Sequence, residues 1–114
     1  MIVIYKIATM EQWRAAQAQG RFDGAPIDLK DGFIHFSDAA TVRETAARHF
    51  AGRDDLLLIA IDAGKLGEAL KWEVSRGGAL FPHLYAPLML GAVLWAKPLP
   101  LDRAAQHVFP TKLP

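Results

Sequence analysis

The sequence contains no cysteine. That excludes disulfide staples, thiolate nucleophiles and cysteine-ligated metals, and it fits a reducing compartment. It also lacks an excess of charge of either sign. Lys and Arg number 13 and Asp and Glu 12, interspersed along the chain, for a formal charge of +1. With no basic tail or stripe there is no electrostatic footprint for a phosphate backbone, which argues against general nucleic-acid binding. No clean apolar run is long enough for a membrane span: the longest uncharged stretch, Gly77 to Ala96, is broken by prolines and a histidine. The opening Met-Ile-Val-Ile-Tyr lacks the basic start and small-residue cleavage site of a secretory signal. A soluble cytoplasmic protein is the expectation. Compact catalytic signatures are absent as well: no P-loop, no G-x-G-x-x-G, no H-E-x-x-H, and no G-x-S-x-G around Ser37.

What is present suits one globular domain spanning residues 1–114, with 52% apolar and 22% charged residues. Residues 2–7 are β-branched and aromatic and predict a strand buried on both faces, with Lys6 as its exception. That lysine must reach an edge or face a cleft. Thr9-Met10-Glu11-Gln12 is a capping box opening a helix that Gly20 ends. Met10, Trp13 and Ala16 or Gln17 would share its inward face. Residues 20–31, with two glycines and a proline, predict a loop. Gly32-Phe33-Ile34-His35-Phe36 predicts a short strand. It runs into a second helix capped by Ser37 or Asp38, or a turn later by the box Thr41-Val42-Arg43-Glu44. Ala39, Val42, Ala46 and Phe50 make that helix's apolar face. Leu56 to Ile61 predicts a central strand, and Leu70 to Val74 a half-exposed one. Phe81 to Pro87 is too proline-bound to stay regular for long. Gly91 to Ala96 is the last strand. The tail, with Pro98, Pro100, Pro110 and Pro114, would wrap the surface. The order β-α-β-α-β-β-β is α+β rather than doubly wound.

Histidines are the obvious carriers of chemistry. His35 sits among Phe33, Ile34 and Phe36, and a titratable ring in such company needs a partner or a purpose. The competing reading is a half-buried ring bonded to backbone. His83 lies on a segment stiffened by Pro82 and Pro87, close to Tyr85. Such a rigid loop holds side chains in place at low entropic cost, although a proline-rich bend can also be only a turn. Glu73 follows Trp72 on an alternating strand; it is either a solvated glutamate or, if the two faces are a core and a cleft, a cleft residue. His49 reads as a surface residue, and His107 carries no signal. A metal site from His35, Glu73 and His83 is chemically conceivable but has no compact ligand motif behind it, so no metal is assigned.

Ile4-Tyr5-Lys6-Ile7, the Trp13 helix, Gly32-Phe33-Ile34-His35-Phe36-Ser37, Leu70-Lys71-Trp72-Glu73 and Phe81-Pro82-His83-Leu84-Tyr85 together resemble the bacterial domain-of-unknown-function 952 family. The resemblance runs from residue 2 to about 98. It implies an ADP-ribosylation-like fold: a mixed β-sheet core with two helices in the N-terminal half. In chain order, Lys6 falls near the position that carries a histidine for the nicotinamide-side ribose in that fold. His35 falls near the tyrosine beneath the nicotinamide, and His83 or Leu84 near the catalytic glutamate. A histidine does not supply the glutamate's negative charge, and a pocket of Lys6, His35 and His83 would suit phosphate. The resemblance therefore implies a cleft that binds or acts on NAD or another phosphorylated nucleotide, by ADP-ribosyl or phosphate transfer if the protein is an enzyme. Catalytic roles would fall to His35, His83 and Glu73, and ligand contacts to Lys6, His35 and Tyr85. The alternative is a non-catalytic small-ligand or protein-binding module that kept the fold and lost the chemistry.

Overall fold

The computed structural model describes residues 1–113, the side chain of Arg76 excepted; Pro114, at the end of the expected tail, lies outside them. Its centre is a sheet in which β4 (Leu56–Asp62) runs between β1 (Val3–Thr9) and β8 (Val93–Pro98). Every residue of β1 is buried, as its unbroken β-branched run predicts, because both faces of the sheet are covered. One face carries Ile4, Ala8, Ile59 and Ile61, packed against Trp13, Phe22, Ile34, Leu84 and Leu88. The other carries Val3, Tyr5, Ile7, Leu56 and Leu58, packed against Val42, Ala46 and Leu99. The tail thus adds a fully buried Leu99 to the core as well as wrapping it.

Helix α1 (Met10–Gln19) opens on the expected capping box: the Thr9 hydroxyl accepts the Gln12 N–H, and the Gln12 side chain accepts the Thr9 N–H, both at 3.0 Å. Its inward residues are Trp13 and Ala16, while Met10 is exposed. The predicted loop at 20–31 instead holds a short strand, β2 (Arg21–Phe22), and a helix, α2 (Pro26–Asp31). Pro26 at its first position and Gly32 as its left-handed C-terminal residue bound that helix. Helix α3 (Val42–His49) starts at the later of the two expected positions. Its start is organised by Asp38, whose carboxylate accepts both the N–H and the hydroxyl of Thr41 at 2.9 Å, rather than by a Thr41–Glu44 box.

A second sheet places β6 (Leu80–Leu84) between β3 (Ile34–His35) and β5 (Leu70–Val74), and β2 pairs with β7 (Leu88–Met89). All strand pairs among the described residues are antiparallel. The architecture is therefore α+β, with three small antiparallel sheets and three α-helices among the described residues, where one mixed sheet and two helices were expected. Pro82 does not break β6. Its carbonyl accepts the Phe36 N–H at 3.0 Å just past the end of β3, so the donor it lacks would have pointed where no ladder continues. Beyond His35 the chain leaves this sheet for the central one. Ser37 exchanges two backbone hydrogen bonds with Tyr5, at 2.7 and 2.9 Å. The segment 32–38 thus stitches the two sheets together, and the candidate site lies at the stitch.

Candidate functional site

His35 stands directly opposite His83 in the β3–β6 register, so both rings rise from one face. Across β6, Lys71 opposes His83 and Glu73 opposes Phe81, which brings Glu73 to the same face. His83 Nδ1 lies 2.8 Å from Glu73 Oε1, and the Tyr85 hydroxyl donates to that oxygen at 2.6 Å. These bonds, from Tyr85 first and His83 second, hold the Glu73 carboxyl below its ordinary range; the same contact pushes the Tyr85 phenol up. An ionised carboxylate only accepts, so Nδ1 carries the proton of a neutral His83 ring and Nε2 keeps its lone pair. Nε2 has no hydrogen bond to the described residues, and no fully buried side-chain nitrogen or oxygen among them lacks a partner. Nε2 is therefore not completely enclosed, although the His83 side chain is only 7% exposed. The Phe33 ring stacks on His83 at 4.1 Å and 26°, and lies 4.6 Å from His35 and 5.2 Å from Tyr85, centroid to centroid.

The inner half of the site is built around Asp28, which is 2% exposed. Its Oδ1 accepts from Lys6 Nζ at 3.0 Å, the His35 N–H at 3.1 Å and His35 Nδ1 at 2.6 Å. Its Oδ2 accepts from Lys6 Nζ and from the Ala25 N–H, both at 2.8 Å. Burial pushes this carboxyl up, but the His35 bond, the Lys6 charge and bond and the Ala25 N–H outweigh it and bring it down to about 2. For Lys6 burial dominates and lowers the ammonium, with Asp28 opposing. Lys6 Nζ spends a further donor on the His35 carbonyl at 2.9 Å. His35 Nε2 meets Asp31 at 2.9 Å, so a carboxylate holds each ring nitrogen. Gly24 lets the loop pass over Asp28: its φ is +121°, and a Cβ there would sit 2.9 Å from the Asp28 Cβ.

Lys6, His35, Glu73, His83 and Tyr85 thus converge, in two chemically distinct halves. Lys6 and His35 have their donors engaged by Asp28, Asp31 and the His35 carbonyl, although the His35 side chain is 34% exposed. Glu73 and Tyr85 with Phe33 form the other half around His83, whose side chain is only 7% exposed. Glu73 faces His83 while Trp72, 40% exposed, lies on the other side of β5. Sequence reasoning missed Asp28, Asp31 and Phe33. Pro26 and Gly32 bracketing an acid at the third helical position were the available signal for Asp28, and the i, i+2 spacing from His35 was the signal for Phe33. His49 is exposed on α3, as expected. His107 Nε2 lies 2.9 Å from the Arg53 carbonyl, away from the cluster. Among the described residues no group of three or more His, Asp or Glu side chains is arranged to hold a metal ion, and no helix is long and apolar enough to cross a membrane. Grooves of about 520 and 500 Å³ are lined by other residues, the first by α3 and the tail, the second by Leu66, Leu84 and Pro87 among others.

The family model described as "Protein of unknown function (DUF952)" matches residues 7–96. The chain belongs to this DUF952 family. It is 51% identical to protein CC0527 from Caulobacter crescentus in its crystal structure, covering 93% of each chain with a TM-score of 0.90. The crystal structure of a double mutant of CC0527 matches at 50% identity, with the same coverage and a TM-score of 0.90. The solution structure of CC0527 matches at 52% identity over 93% of this chain and 91% of that one, with a TM-score of 0.83. No curated protein matches.

Proposed function

We propose that this DUF952 protein binds the ring end of a small ligand against Phe33 and Tyr85, with NAD or another phosphorylated nucleotide as the leading candidate, and that His83 is the acid–base group. The observation that carries the reading is the Glu73-held His83, a largely buried ring whose Nε2 has no hydrogen bond to the described residues and which lies beside a stacked aromatic ring. A carboxylate at Nδ1 fixes the ring so that Nε2 can take a proton from an attacking group. In an ADP-ribosylation-like site, Glu73 on the adjacent strand offers the negative charge that a histidine at the position of His83 lacks. Tyr85 shapes the wall, and His35 forms the second ring of the floor. Lys6 acts through Asp28 and His35 as a positioning residue. Its ammonium is already spent, so the ring end of a nucleotide is favoured over the phosphates, and ADP-ribosyl transfer, in which an acceptor displaces nicotinamide from the ribose carbon, over phosphate chemistry. The second reading, a binding module without chemistry, is favoured by the same internal pairing of Lys6 and His35.

Thermal-shift measurements with NAD, ADP-ribose, AMP and nicotinamide separate these readings. NAD and nicotinamide are expected to raise the melting temperature of the native protein and to leave His83→Ala unmoved. No shift with any of the four would overturn the nucleotide reading. Release of nicotinamide from NAD over time, lost in His83→Ala and reduced in Glu73→Gln, marks an enzyme; a shift without release marks the binding module.

A further inference from the structure

The second sheet ends on an open strand. β5 pairs with β6 on one side only. The Pro82 carbonyl points to β3, and backbone groups alternate sides along a strand, so Phe81 and His83 point to β5. Their partners Glu73 and Lys71 therefore point inward. The flanking bonds agree: Ala69 accepts from Tyr85 and Ser75 donates to Ala79. The N–H and C=O groups of Trp72 and Val74 and the C=O of Leu70 are left facing outward, with no hydrogen bond to the described residues, while the Leu70 N–H donates to the Gly67 carbonyl. Their side chains share one face, where Trp72 is 40% and Val74 70% exposed. An open edge with apolar side chains is a template for another strand.

The pattern Leu70-Lys71-Trp72-Glu73-Val74 says which strand fits. It is self-complementary about Trp72. When a second copy is laid antiparallel on it with a two-fold axis at Trp72, Lys71 opposes Glu73 of the second copy, and Glu73 opposes its Lys71. Leu70 opposes Val74, and the tryptophans face each other. Trp72 then exchanges two backbone bonds with its copy, and each Val74 N–H meets the Leu70 carbonyl of the other copy, the Leu70 N–H staying on Gly67. The charged pairs fall at the non-hydrogen-bonded positions, where side chains lie closest. Lys71 forms no ion pair with the described residues, though its charge already acts on Glu73 two positions along the same strand, and among the described residues the bonds of Glu73 to His83 and Tyr85 both use Oε1. We propose that the chain self-associates through β5 as a two-fold dimer with a continuous six-stranded sheet, each copy placing its Lys71 against Glu73 of the other. The dimer thus adds a second cation, beside the chain's own Lys71, to the carboxylate that orients His83. It rests on the open edge and its charge pattern, independently of any ligand at the site. A single five-residue strand pair lies at the small end of interfaces, so the dimer forms in a concentration-dependent equilibrium.

Sedimentation equilibrium over a dilution series reads the mass. Dimer is expected to grow with concentration in the native protein, to be lost in Lys71→Glu, which sets acid against acid, and to return in Lys71→Glu/Glu73→Lys, which restores the pairing with the signs exchanged. Hydrogen exchange on the native protein gives a second readout that needs no variant: the Trp72 and Val74 amides slow as concentration rises, while exposed amides of the tail do not. A native protein that stays monomeric throughout, or a dimer indifferent to Lys71→Glu with Trp72 exchange independent of concentration, overturns the proposal.

Discussion

Asp28 gathers more of this structure than any other side chain. It ties α2 to β1 through Lys6, to β3 through His35, and to its own helix start through Ala25. Buried ion pairs contribute little net stability against an apolar replacement, but removing one partner leaves a charge stranded. Asp28→Asn is accordingly expected to cost about 3–5 kcal/mol in urea denaturation, and Lys6→Met/Asp28→Leu together markedly less than the two single changes summed. The carboxyl's low folded value also fixes a pH dependence. An aspartate at about 2 in the folded protein, against about 3.9 in an unfolded chain, stabilises the fold above the unfolded value. That contribution is lost as pH falls from about 4 through about 2 and amounts to about 2.6 kcal/mol. Denaturation midpoints measured from pH 5 to pH 2 should show this loss in the native protein. A carboxyl NMR titration of Asp28 with a midpoint near 4 would refute the assignment.

At the scale of elements, α2 shows why part of the site was illegible in the sequence. Strands β1 and β4 and helices α1 and α3 follow from apolar periodicity and caps, because burial is what forms them, and β5 follows from the alternation of a half-exposed strand. Ile27 and Leu29 of α2 are 54% and 67% exposed. This helix is held by one buried acid and two terminal residues, not by an apolar stripe, so a search for periodicity passes over it. Its partner Lys6 was visible as an anomaly, but the acid that explains it lies 22 residues away. Strand β6 was obscured for the opposite reason. Pro82 signals a break, and only the ladder's geometry shows that its missing donor is not needed. His35, His83, Glu73 and Tyr85 were found because unusual side chains on short strands stand out locally. Their division into a half held by Asp28 and a half held by Glu73 depends on pairing that no local pattern encodes. The hold of Asp28 on α2 can be tested at Gly24, where positive φ and the Asp28 Cβ both exclude a side chain. Gly24→Ala is expected to destabilise by about 1–3 kcal/mol and to disturb the His35 ring signals, whereas Gly52→Ala, whose Cβ meets nothing, should leave those signals in place.

The whole molecule is two apolar layers sharing one sheet. β4 divides its side chains between them: Ile59 and Ile61 enter the layer beneath the candidate site, and Leu56, Leu58 and Ala60 enter the layer under α3 and the tail. The sheet separates the layers, so a void on one side does not relax into the other. Ile61→Val trims the site-side layer at an expected cost of about 0.5–1.5 kcal/mol, and Leu99→Ala opens the tail-side layer at about 2–5 kcal/mol. The double variant should lose the sum of the two within about 0.5 kcal/mol, the behaviour of sites with no shared partners. Its chemical-shift changes should likewise superpose those of the single variants. The site consequence is directional. Ile61→Val lies in the layer that carries Ile34 and Leu84, the immediate neighbours of His35 and His83, and should shift both histidine signals. Leu99→Ala, the larger loss of stability, should leave them nearly still. Strong coupling between the two, or histidine shifts that follow stability rather than layer, would mean that the core is one body and that the site is not insulated from the tail.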